Sequence, residues 1–227
     1  VVELLRREGQ HNDMYVRPLA YKADHKIGVL LHGMTDEVTI FATPFGRYVA
    51  NEEGASVRVS SWRRVDDNAI PARGKIAGAY VNSSLVKSEA LMDGYDEAIV
   101  LDEHGHVSEG SAANIFMVRE GQLITPPVSS NILEGITRRT IMELAAAELG
   151  IRVEERAIDR TELYVCDELF FCGTGVQVAS ITAVDRRPVG AGIMGPVTTA
   201  LRTLYFDIVR GNVEKYRPWN TPVFDHA

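Results

Sequence analysis

Apolar positions recur along this chain with two different periods. "VVELLRREGQ" carries them at helical spacing and stops at Gly9, with neither a Met nor an N-cap residue ahead of it. It reads as the last turns of a helix, and a preceding N-terminal piece is expected. "MYVRPLAY", "IGVLLHG" and "EVTIFAT" follow as strand-like runs. "PFGRYVANEEGA", with Pro44, Gly46 and Gly54, reads as a linker. Beyond it "SVRVSSW" alternates as a strand, and "AYVNSSLVKSEALMDG" predicts a helix ending at Gly94. "EAIVLDEHGHVSEG" and "NIFMVREGQLITPP" predict strand–turn–strand units, the second turning at Glu120-Gly121. "GITRRTIMELAAAELG" is the clearest helix, closed by Gly150. "IRVEERAI", "ELFFCGTG" and "SITAV" read as strands and "GPVTTALRTLYFDIVRG" as a last helix. No strict strand–helix–strand rhythm emerges, so the class expected is α+β. The division expected is a small N-terminal domain over residues 1–43, a linker over 44–54 and a large domain over 55–227.

Composition narrows the functional classes. The 227 residues are 45% hydrophobic and 24% charged, ordinary for a globular protein. The net charge of -7, with Lys and Arg scattered, argues against nucleic acid as a partner. No apolar run reaches membrane-spanning length, so no membrane partner is expected. Cys166 and Cys172 form neither a disulfide framework nor a zinc pattern, which makes the cytoplasm the expected compartment.

Two motifs carry less than their letters suggest. "GAGIMG" (190–195) matches a dinucleotide fingerprint, but polar "DRRPV" precedes it and no second strand follows its helix. "DEHGHVSEG" gathers acids and histidines, yet His104-Gly105-His106 falls where the chain must turn, which points both rings to solvent.

The chemistry is expected elsewhere. Lys75 in "PARGKIAGAY" sits among glycines, alanines and an isoleucine. Glu109 in "SEGSAANIF" lies between small residues inside a strand-like run. "ILEGITRR" opens a helix whose first N–H groups and dipole favour an anion, with the Thr137 hydroxyl beside them. "FFCGTGVQV" adds a small polar turn at Gly173-Thr174-Gly175. A lysine, a partnered carboxylate and a phosphate cradle at a helix N-terminus share one explanation, pyridoxal phosphate. The lysine forms a Schiff base, helped by apolar burial; the carboxylate keeps the pyridine nitrogen protonated; the helix start holds the phosphate. Lys87, whose neighbours Ser88 and Glu89 suggest a solvated face, is the nearby competitor.

From Glu109 to Arg138 the chain resembles the signature of the class IV, or fold type IV, aminotransferases. Glu109, Ser111, Asn114, Ile115 and Phe116, then Leu123 and Thr125, then Leu133, Gly135, Ile136 and Arg138 fill every slot. "SSWRRVDDNAIPARGKIAGAYVNSSL" is similar to the lysine segment of the branched-chain amino acid aminotransferases. The resemblance implies a fold type IV, D-amino acid aminotransferase-like architecture, with a small N-terminal α/β domain and a larger pseudo-barrel domain. It implies Lys75 as the catalytic lysine, Tyr80 as donor to the pyridoxal 3-oxygen, Glu109 at the ring nitrogen and Leu133 against the ring. Ile136, Thr137 and Thr174 would hold the phosphate. Tyr15 and Arg17 of "YVRP", Tyr48 of "FGRY", Thr174 and Gly175 would face the substrate. The family's phosphate-binding arginine and its interface aromatics belong to a segment before Val1. Implied partners are amino acids, 2-oxo acids and a second copy of the chain, as a homodimer or higher oligomer. The implied reaction is transamination of leucine, isoleucine or valine with 2-oxoglutarate. The D-amino acid aminotransferases, R-selective amine transaminases and aminodeoxychorismate lyases share the same machinery, and a truncated, non-catalytic chain is the reading from another class.

Overall fold

The computed structural model describes residues 1–46 and 51–224. The chain divides into two compact units, Val1–Gly46 with Lys215–Ala227, and Arg47–Glu214. Among the described residues, 215–224 fall in the first unit.

In the first unit α1 (Val2–Glu8) ends on Gly9, whose left-handed φ of 63° lets its N–H return to the Leu5 carbonyl. β1 (Met14–Lys22) and β2 (Asp36–Pro44) form an antiparallel two-stranded sheet. Pro18 is tolerated in β1 because each strand of a ribbon has a free edge. The run "IGVLLHG", expected as a strand, is instead part of the loop joining β1 to β2, with Ile27, Val29, Leu30 and Leu31 exposed. Apolarity alone does not make a strand: β1 and β2 already pair with each other from Met14↔Pro44 to Lys22↔Asp36. The C-terminal residues join this unit through Arg6 Nε, which donates to the Val223 carbonyl at 2.5 Å, and a His11–Phe224 ring stack.

The second unit is built on one mixed sheet. Its strands are β3 (Ala55–Arg63), β4 (Glu97–Leu101), β5 (Val107–Gly110), β6 (Asn114–Arg119), β7 (Gln122–Thr125), β8 (Val153–Glu155), β9 (Glu168–Gly173), β10 (Gln177–Val184) and β11 (Arg187–Pro188). Their order is β5-β4-β3-β10-β9-β6-β7-β8, with β11 beside β10. β3 runs parallel to β4 and β10, and β7 parallel to β8; the other pairs are antiparallel. Only Val153–Glu155 of the expected strand "IRVEERAI" pairs, because β8 is the outermost strand and touches β7 alone. β6 and β7 turn at Glu120-Gly121, both at positive φ, the two-residue hairpin the sequence predicts.

Both faces of the sheet are covered, which is why "NIFMV" and "ELFFC" are apolar at nearly every position. Ile115, Met117, Leu169 and Phe171 enter a core with Val57, Ile99, Val107, Ala179 and Ile181. Phe116 and Phe170 stack at 5.2 Å on the opposite face. α2 (Tyr80–Met92) packs Val86 and Ala90 onto Ala98 and Val100 of β4. α3 (Ile136–Leu149) and α4 (Pro196–Val209) pack against β9, burying Ile141, Leu144 and Leu201. The "GAGIMG" turn delivers the chain into α4, and Glu168 fills that helix's N-terminus: its carboxylate accepts the Val197 and Thr198 N–H groups at 3.0 and 2.7 Å. An anion site is therefore already satisfied there from within the chain.

Candidate active site

Glu109, near the end of β5, is buried, and its carboxylate is held from three sides. Arg64 Nη2 lies 2.9 Å from Oε1, with both side chains under a tenth exposed. The Asn114 amide and the Leu133 N–H donate to Oε2 at 3.1 and 3.2 Å. Asn114 also donates to the Leu133 carbonyl at 2.9 Å, so one amide ties the start of β6 to the loop before α3. That loop runs so close that a Cβ on Gly135 would overlap the Asn114 amide. The signature slots for Asn114 and Gly135 thus serve one contact. Burial pushes the Glu109 carboxyl up to about 7; Arg64, the Leu133 N–H and Lys75 pull against it.

Lys75 lies in the segment that leads into α2, within electrostatic reach of Glu109. The segment is tightly turned, Gly74 N–H to Pro71 O at 3.1 Å and Ile76 N–H to Gly74 O at 2.8 Å. Arg73 joins it to the loop before α3 through Glu134, at 2.9 Å. Lys75 Nζ stands 5.4 Å from the centre of the Tyr80 ring, at the first turn of α2. The expected apolar burial of Lys75 does not hold: the side chain is exposed, because its glycine and alanine neighbours are too small to cover it. Lys87 also differs from expectation. Its Nζ is 2.9 Å from the buried carboxylate of Glu97 and 2.7 Å from the Asp96 carbonyl, so it is engaged in an ion pair rather than on a solvated face.

The strand pairing Asn114↔Cys172 sets the turn after β9 beside this cluster. In that turn Thr174 is exposed and Gly175 half-buried. Cys172 senses the charges of both Glu109 and Arg138, and burial pushes its thiol up. At the start of α3, Ile136 is exposed and Thr137 is buried. The first N–H groups of this helix have no intrahelical partner. Arg138 turns away from them: it donates to the Pro126 carbonyl at 3.0 Å and pairs with Glu155. Tyr15 and Arg17 belong to the first unit, where the Arg17 guanidinium lies 5.1 Å from the centre of the Tyr15 ring. Tyr48 lies outside the described residues.

The second unit therefore carries Lys75, Tyr80, Glu109, Leu133, Ile136, Thr137, Thr174 and Gly175; the Leu133 N–H and the Lys75 charge act on Glu109, and Tyr80 stands beside Lys75. This donor set fits a phosphorylated pyridine. A carboxylate has about four acceptor positions; the Glu109 carboxylate uses three and keeps one for a ring N–H. Backbone N–H groups and the Thr174 hydroxyl suit a phosphate. Sequence reasoning missed Arg64. Its signal was faint: one of two adjacent arginines, ahead of "VDD", looks like charged surface. Among the described residues no three His, Cys, Asp or Glu gather as for a metal ion.

Known proteins are similar to this chain along nearly its whole length. Residues 1–184 match the family described as Amino-transferase class IV. A probable branched-chain-amino-acid aminotransferase of Aquifex aeolicus is 49% identical over 223 residues, covering 98% of this chain and 72% of that protein. The crystal structure of a branched-chain aminotransferase from Thermoproteus uzoniensis with norvaline has a TM-score of 0.94 at 44% identity, over 98% of this chain and 73% of that one. The T.th. branched-chain amino acid aminotransferase complexed with N-(5'-phosphopyridoxyl)-L-glutamate has a TM-score of 0.90 at 39% identity, over 98% and 72%.

Proposed function

The chain belongs to the class IV aminotransferase family, whose profile matches it over residues 1–184, and from that premise we propose that it is a pyridoxal-phosphate-dependent branched-chain amino acid aminotransferase. It moves the amino group of leucine, isoleucine or valine to 2-oxoglutarate. The observation that carries this reading is the buried Glu109 carboxylate, tied to the Leu133 loop and within electrostatic reach of Lys75. Relatives crystallised with norvaline and with a phosphopyridoxyl-glutamate support one pocket for an apolar and an acidic side chain.

When bound, the cofactor supplies an electron-accepting ring that stabilises negative charge at the substrate α-carbon. The chain's residues do the rest. Lys75 Nζ would hold the cofactor, and its freed amine would take the proton from the α-carbon of the amino-acid donor in one half-reaction and deliver one to the α-carbon of the 2-oxo acid in the other. Glu109 would accept the ring N–H, and Tyr80 would donate to the ring oxygen. Leu133 would pack on the ring, while the Ile136 and Thr137 N–H groups and the Thr174 hydroxyl would hold the phosphate. The family resemblance assigns substrate-binding roles to Tyr15, Arg17, Tyr48, Thr174 and Gly175. The linker at residues 44–54 separates the small domain from the large one.

We also assign the chain to the cytoplasm and to a homodimer or higher oligomer. Two free, buried cysteines support the first; exposed Ile27, Val29, Leu30 and Leu31 support the second. Among the described residues no helix is long and apolar enough to cross a membrane.

A substrate panel tests the activity. L-Leucine with 2-oxoglutarate is expected to yield glutamate, while D-alanine and a chiral amine yield none. Turnover of D-alanine or the amine in preference to L-leucine would move the chain to another branch of the family. Arg17→Ala is expected to weaken use of 2-oxoglutarate and glutamate selectively. A guanidinium–carboxylate hydrogen bond contributes about 1.5–3 kcal/mol, so kcat/KM for the acidic substrates should fall about tenfold to a hundredfold. Equal loss with leucine would make Arg17 a structural residue.

A further inference from the structure

Arg64 follows β3 directly, and its backbone N–H donates to the Leu101 carbonyl at 2.9 Å, which extends the β3–β4 pairing by one residue. Its side chain turns inward. Nη2 meets Glu109 Oε1 at 2.9 Å, and Nε donates to the Asn131 carbonyl at 3.1 Å. Asn131 is braced in turn: it is buried at a left-handed φ of 58°, its amide donates to Glu103 at 2.7 Å, and its Oδ1 accepts the Asp67 N–H at 3.2 Å. The guanidinium is thus anchored through Nε while Nη2 reaches Glu109.

We infer that Arg64 is a positioning residue of the active site: it holds the Glu109 carboxylate ionised and in one orientation, ready to accept a hydrogen bond from the pyridine nitrogen. The inference rests on the aminotransferase reading. A carboxyl buried this deeply tends to take up a proton, and as an acid it would present an O–H where an acceptor is needed. Three titratable groups face it: Arg64 behind β3, Lys75 ahead of α2, and the Cys172 thiol on β9. Burial keeps the thiol in its neutral form. Lys75 would serve as nucleophile and proton carrier, so its charge changes during turnover and it offers no constant field. A guanidinium keeps its charge throughout. Arg64 is, among the described residues facing Glu109, the cation whose charge does not change during turnover. Its bond to Oε1, with Asn114 and the Leu133 N–H on Oε2, also fixes the carboxylate plane.

The test compares Arg64→Met and Arg64→Lys in the full chain. The carboxyl ionisation of Glu109 is followed without cofactor by infrared spectroscopy, assigned by its loss in Glu109→Gln. The parent midpoint is expected near the value of about 7 that burial and its partners set. In Arg64→Met it should rise by about one pH unit or more, a tenfold gain in proton affinity; in Arg64→Lys it should lie between the two. With pyridoxal phosphate and L-leucine, the acid limb of the kcat profile should move upward by the same amount. Should the Met variant fail to fold, Arg64→Gln, which keeps a donor but no charge, is read instead with the same expectation. An unmoved Glu109 midpoint overturns the inference, and so does a moved midpoint with an unmoved kcat profile. Absence of turnover in the parent chain would instead overturn the aminotransferase reading, which the cofactor-free titration does not use.

Discussion

Lys75→Ala is expected to abolish transamination while leaving the fold intact. The side chain is exposed, so its truncation removes little packing. Its chemistry has no substitute nearby. Lys87 is held by Glu97 and the Asp96 carbonyl, and Arg73 by Glu134. Proton transfer by a positioned side chain is worth about 10²–10⁴ in rate, and Lys75 supplies the covalent step as well. Turnover should therefore drop to about one ten-thousandth of the parent value or lower, with circular dichroism and the melting midpoint unchanged. A variant that retained measurable turnover with L-leucine would place the reactive amine elsewhere.

Glu109→Gln should lose about two orders of magnitude or more in kcat, roughly 3 kcal/mol of barrier, because an amide cannot keep the ring nitrogen protonated. Its effect on stability depends on pH. The folded carboxyl ionises near 7, above its ordinary value, so between those limits the native state holds a proton that the unfolded chain has released. Stability of the parent therefore falls as pH rises through that window. The Gln variant lacks this slope. It carries instead a mismatch: its NH₂ must face either Arg64 or the Leu133 N–H, a loss of about 1–3 kcal/mol. Chemical denaturation from pH 4 to 8 beside steady-state kinetics checks both parts. Unchanged kcat would return Glu109 to a structural role at the end of β5.

Much of this site is legible in the sequence because it rests on residue types with few other uses. A carboxylate between serine and glycine in a strand-like run, and a helix opening on a glycine with no side-chain cap, both stand out. Their spacing survives as contacts: Glu109, Asn114 and Gly135 meet within one closely packed cluster. Burial is the property sequence conveys worst. Lys75 is exposed although its neighbours are apolar and small, because small residues give no cover. The Arg64 side chain is under a tenth exposed although its neighbours are charged, because the carbonyl of Asn131, 67 positions away, draws its Nε inward. Lys87 pairs with a buried glutamate on β4, a relation between a helix and a strand that no local pattern encodes. The run from Ile27 to Leu31 failed as a strand for a related reason: pairing is decided by available edges, and β1 and β2 had already taken each other.

The central claim is that Lys75 and Glu109 together make a cofactor-bearing active site. The most direct measurement loads the chain with pyridoxal phosphate, reduces it with borohydride to make the lysine link permanent, and maps the modified peptide by mass spectrometry. The account predicts the added mass on the peptide that contains Lys75, and its absence from Lys75→Ala. Modification spread over surface lysines, or centred on Lys87, would contradict it.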